Sequence, residues 1–132
     1  MTRGFGHQLI LAIVVPMTPD ALREFCLSLP QAIETFPFGE ETSVFKTSGN
    51  NKVFALSGLA AEPLKVTLKI DPEESIALRE QYEAIVPGYH LNKKHWVTIT
   101  CDGSVPDELV EELITASHAL VAPKVRARKV AD

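Results

Sequence analysis

Between Leu64 and Ile70 the chain alternates strictly, with Leu64, Val66, Leu68 and Ile70 apolar and Lys65, Thr67 and Lys69 polar between them. A period of two describes a strand with one buried and one open face. The same period governs most of the stretch from Ile33. Ser43 to Thr47 and Lys52 to Ser57 read as strands on either side of Ser48-Gly49-Asn50-Asn51, a strong turn signal. Phe36-Pro37-Phe38 reads as a short edge strand, where proline is tolerated. His95 to Cys101 forms another strand, with Val97, Ile99 and Cys101 inward and Lys94, Trp96, Thr98 and Thr100 outward; Asp102-Gly103 ends it.

Three segments change the period to that of a helix. Thr18-Pro19-Asp20 supplies a capping hydroxyl, a proline suited to the first helical position and an acid for the positive helix end. This helix runs to about Ser28, because Pro30 disfavours helical backbone just before it. Asp71-Pro72-Glu73-Glu74 opens a second helix, through roughly Tyr82, with Ile76, Leu78 and Tyr82 as anchors. Pro87-Gly88 breaks the chain. Pro106-Asp107-Glu108 starts a third helix whose broad apolar stripe combines Leu109, Leu113, Ala116 and Leu120 with Val110, Ile114 and Val121. The order is helix, three or four strands, helix, one or two strands, helix. An α+β fold follows, with a mostly antiparallel sheet, helices on one face and the other face open.

Length makes this one domain, since 132 residues divided in two would leave neither half a core. A formal net charge of −4 argues against a dedicated high-affinity nucleic-acid binder but leaves room for a local basic face. Two cysteines, Cys26 and Cys101, with no CxxC pair, fit a reducing, cytoplasmic setting. Cys26 shares a helical face with Leu22, Phe25 and Leu29, so we expect a buried, inert thiol. Residues 1–16 read as an extension. Its apolar run, Leu9 to Val15, is short for a signal-peptide core and far short of the ~20 residues that span a bilayer. Two readings stay open for it: an extra strand, or an upstream start ahead of Met17. The domain proper covers 17–123, and 124–132 is a basic tail with Lys124, Arg126, Arg128 and Lys129.

Leu29-Pro30, Phe36-Pro37-Phe38-Gly39, Val44-Phe45-Lys46 and Leu68-Lys69 before Asp71-Pro72 together resemble the MmcQ/YjbR family of small bacterial proteins. The most specific part is Pro87-Gly88-Tyr89-His90-Leu91-Asn92-Lys93-Lys94-His95-Trp96; Ser117-His118-Ala119-Leu120-Val121 fits as well. The resemblance spans roughly Met17 to Pro123 and implies an α-β(3)-α-β(2)-α fold like that of secretion chaperones. Members are commonly labelled DNA-binding, and the family brings no catalytic residues to carry over. The chain departs from the pattern in its extension before Met17 and in His118, where tyrosine is usual; we expect the second to change only local packing.

Candidate chemistry centres on the open face. If the strands holding Lys65 and Trp96 are neighbours, Lys65, Lys69, Lys94 and Trp96 share one surface with several threonines, and Lys93 adjoins them. Lysines contact phosphates and an exposed ring stacks on an unpaired base. The same residues also suit a plain solvated face, or a protein-partner or homodimer surface centred on Trp96. His90, Asn92 and His95 form the family's loop motif. Their spacing matches neither HExxH nor a paired-cysteine zinc site, and we expect turn-fixing hydrogen bonds there and no metal. Glycine-rich phosphate loops and Gly-x-Ser-x-Gly are absent, and Glu40-Glu41 and Glu73-Glu74 are neighbours that do not face each other. No cofactor or catalytic constellation is expected; weak DNA binding leads, with a protein-interaction module or small-ligand binder as alternatives.

Overall fold

Local chemistry sets the helix starts in the computed structural model, which describes residues 16–88 and 91–124. The Thr18 side chain accepts from the Ala21 N–H at 3.1 Å and opens α1 (Pro19–Ser28). Asp71 accepts from the Glu73 and Glu74 N–H groups at 3.1 and 3.2 Å and opens α2 (Pro72–Gln81). The third helix, α3 (Asp107–Val121), starts after Pro106. Among the described residues the strands are β1 (Ala32–Thr35), β2 (Ser43–Thr47), β3 (Lys52–Ser57), β4 (Lys65–Lys69), β5 (Ile85–Pro87) and β6 (Trp96–Thr100). The expectations for residues 1–15, for His90 and for Arg126, Arg128 and Lys129 lie outside the described residues.

All strand pairings are antiparallel, in the order β1-β2-β3-β4-β6-β5. Among the described residues β1 and β5 form the edges, and both are short. Val66, Leu68, Val97 and Ile99 are buried on one face, under the stripe Val110, Leu113, Ile114 and Val121 of α3. Leu22 and Cys26 of α1 join the same core, as do Leu78 and Tyr82 beside β5. Burial pushes the Cys26 thiol up to about 12, with the nearby Glu34 carboxylate adding to the effect, so it stays protonated and unreactive.

The ladder between β3 and β4 is brief, pairing Ala55 with Leu68 and Leu56 with Thr67. One step further, α3 takes over. The Ser117 hydroxyl donates to the Phe54 carbonyl at 2.6 Å and accepts from the Lys69 N–H at 2.9 Å, bridging the two strands. The register slip between β2 and β3 leaves Phe54 without a partner on β2, and its ring packs edge-on to His118 at 5.1 Å. The His118 Nε2–H donates to the Pro30 carbonyl at 2.8 Å, tying the end of α3 to the turn that follows α1.

Three expectations are corrected. In α3 the Ala116 and Leu120 side of the stripe is exposed, and Ser117 and His118 are buried in its place. Phe36-Pro37-Phe38 is not a strand; the edge strand lies just upstream, at Ala32–Thr35. Gly39 donates to the Phe36 carbonyl at 3.3 Å with φ of 112°, a backbone that suits glycine, and so turns the chain before β2. Both phenylalanines are exposed. Ile76 is not an anchor of α2 but 51% exposed, because the helix rests on Ser75, Leu78 and Tyr82, an i, i+3, i+7 edge that leaves Ile76 a step round the cylinder.

Candidate binding face on the open side of the sheet

Residues directly opposite each other in antiparallel strands share a face. The β4–β6 register sets Lys65 opposite Thr100, Thr67 opposite Thr98 and Lys69 opposite Trp96. Lys65, Lys69 and Trp96 therefore stand on one surface, the face away from the helices. Val44 pairs with Leu56, and Leu56 with Thr67, which adds Lys46 of β2 to the same face by alternation. The charged strand residues on this face are thus Lys46, Lys65 and Lys69. Glu34 of β1 lies opposite Phe45, on the helical side, and pairs with Arg23 of α1 at 2.8 Å.

The acids concentrate on the helices instead: Asp20 and Glu24 on α1, Glu73, Glu74 and Glu80 on α2, and Asp107, Glu108, Glu111 and Glu112 on α3. Partial desolvation opposes ionisation of Glu34, yet hydrogen bonds from Arg23 and Ser43 and the Arg23 charge outweigh it and hold its carboxyl below the ordinary value.

Lys93 and Lys94 lie in the loop before β6, and both are exposed. Lys94 precedes the strand and is not part of its alternation. The Asn92 side chain accepts from the Lys94 N–H at 2.9 Å and its carbonyl from the His95 N–H at 3.0 Å, so Asn92 shapes the turn. The His95 carbonyl accepts from the Ile70 N–H at 2.8 Å and ties the loop to the end of β4. Among the described residues, no group of three His, Cys, Asp or Glu side chains is placed to hold a metal ion.

Trp96 is half-buried. Gly88 donates its N–H to the Trp96 carbonyl at 2.9 Å, and a Cβ on Gly88 would stand 2.8 Å from the Trp96 Cβ. Only glycine allows the loop to lie this close to the strand.

Sequence reasoning missed a recess of about 600 Å³ on this face. Leu56, Thr67 and Thr98 line its floor, Phe38 and Leu91 stand over it from two loops, and Lys65 borders one end. Lys69 and Trp96 are not among its lining residues, so the candidate surface divides along β4. Phe38 and Leu91 are far apart in sequence, and only the strand order brings their loops together. One clue was available: Phe38 is a large apolar residue in a turn, where it has no core to enter, and it is 72% exposed.

The fold is thus a six-stranded antiparallel α+β sheet with helices on one side and a recessed, lysine-bearing surface on the other. The YjbR family model matches residues 27–120, and the chain belongs to that family. It is 35% identical to the uncharacterized protein YbdF of Escherichia coli O157:H7 over 83% of this chain and 88% of that one. It is 32% identical to the uncharacterized protein YjbR of Escherichia coli strain K12, over 77% and 85% of the two chains. The crystal structure of Deinococcus radiodurans protein DR2400, family-model domain DUF419, superposes with a TM-score of 0.78 at 46% identity, covering 90% of this chain and 91% of that one. These relatives establish fold and family and bring no stated activity. Among the described residues, no helix is long and apolar enough to cross a membrane.

Proposed function

We propose that the open face is a weak, low-specificity binding surface for DNA, single-stranded in preference to duplex. The observation supporting this is the segregation of charge: lysines alone among the charged strand residues face outward, while acids crowd the helices of a chain with net charge −4. Lys65, Lys69, Lys93 and Lys94 would meet phosphates, and the exposed part of Trp96 would stack on one base. The proposed setting is the cytoplasm, in keeping with two buried free cysteines.

The test follows the fluorescence of Trp96, the chain's one tryptophan, during titration with short single- and double-stranded DNA at low and near-physiological salt. Saturable quenching should weaken with salt, with a slope of about 0.7 per phosphate contact for single strands. It should vanish when Lys65, Lys69 and Lys94 become glutamine. No change at low salt would refute the reading.

A second reading, a protein-partner or homodimer surface, is favoured by a different observation. Phe36, Phe38, Val86 and Leu91 are all exposed large apolar residues. Light scattering should then show a dimer at high protein concentration that Phe38→Glu dissociates. A monomer at every concentration would exclude self-association.

A further inference from the structure

We infer that the recess over Leu56, Thr67 and Thr98 is a binding site for a small molecule with an apolar body and one carboxylate. The site is distinct from the Lys69 and Trp96 end of the face. Its volume of about 600 Å³ falls in the range of small-molecule pockets, roughly 300–1,000 Å³. Leu56 below and Phe38 and Leu91 above make three apolar walls, and the two upper residues are 72% and 38% exposed without a ligand. Covering them removes apolar surface from water, a gain of roughly 25 cal/mol per Å².

The polar groups select the ligand's charge. Lys65 is the charged side chain lining the recess, and it makes no ion pair among the described residues. Thr67 and Thr98 hydrogen-bond each other through their hydroxyls at 2.8 Å. Two hydroxyls have two hydrogens, and that bond uses one. Neither hydroxyl has another partner among the described residues, so one O–H remains to donate to an oxygen in the recess. Lys65 and Thr67 lie two residues apart on the same face of β4, roughly 7 Å along the strand. An ammonium on a flexible stem and the spare O–H of the Thr67–Thr98 pair, on whichever of the two threonines it sits, suit the two oxygens of a carboxylate, with the apolar body lying between Phe38 and Leu91.

The experiment is methyl-detected NMR of the full chain with phenylbutanoate, octanoate and indoleacetate, each beside its neutral amide. We expect saturable shifts of the Leu56, Leu91, Thr67 and Thr98 methyls, with Val66 and Ile99 still. At least one acid should bind about fivefold or more tightly than its amide. Lys65→Gln should bring the acid down to the amide's affinity, and Leu91→Glu should abolish binding of both while the core methyls stay in place. Lys69→Gln, which weakens the proposed DNA contact, should leave the acid unaffected. Equal affinity of acid and amide, shifts located elsewhere, or no saturable shift at millimolar concentration would overturn the assignment.

Discussion

Ser117 and Thr67 are hydroxyl residues on opposite sides of one sheet, and they are used differently. Ser117, on the helical side, spends both of its roles on the backbone, donating to Phe54 and accepting from Lys69. The Thr67 hydroxyl, on the open side, bonds only that of Thr98 among the described residues, and the pair has a hydrogen to spare. The helical face also holds the Arg23–Glu34 pair and the His118–Pro30 bond, each joining distant segments. On the open face the lysines have no such partners among the described residues. Saturated polar groups fix one arrangement of the chain, whereas unsaturated ones at a surface are available to something else.

Substitutions that remove core volume should have the largest effect. Phe54→Ala empties the space between Phe45, His118 and α3, and urea unfolding should show a loss of about 3–5 kcal/mol. Ser117→Ala strands a part-buried N–H and a buried carbonyl and should cost about 1–3 kcal/mol by the same measurement.

Thr67→Val is the direct counterpart and should stay within about 0.5 kcal/mol, since Thr98 can turn to water. Equal losses for Ser117→Ala and Thr67→Val would break the contrast between the faces.

Acid provides another comparison. A carboxyl held below its ordinary value contributes stability that is present above the unfolded-state pKa and lost as pH falls through the lower folded-state value. Stability should therefore fall less between neutral pH and about pH 3 in Glu34→Gln than in the parent, as read by unfolding at each pH. Smallest of all, Lys65→Gln and Lys69→Gln should each leave the midpoint of urea unfolding almost unmoved, within about 0.5 kcal/mol.

Strict alternation made the sheet legible. Lys65 to Lys69 and Trp96 to Thr100 announce a buried and an open side, and proline with a capping side chain marks two of the three helix starts. The same rule misled at Phe36-Pro37-Phe38, where two aromatic residues at period two imitate a strand while Gly39 turns the chain. Ile76 misled for a related reason, since a single apolar residue does not say which side of a weakly amphipathic helix is covered. Asn92 shapes the turn with its side chain, whereas His95 takes part through its backbone N–H and carbonyl, with no side-chain hydrogen bond among the described residues. The recess was illegible because its walls come from β3, β4, β6 and two loops. Only strand order joins them, and strand order depends on non-local pairing that no local pattern encodes.

The edges of the sheet carry a consequence for how this protein survives at high concentration. β5 has three residues and ends in Pro87, which lacks an N–H, while β1 has four residues and runs into Phe36-Pro37. Neither offers a long row of free backbone donors and acceptors, so another chain finds little to template on. Among the described residues, growth by strand addition is thus discouraged at both edges of the sheet.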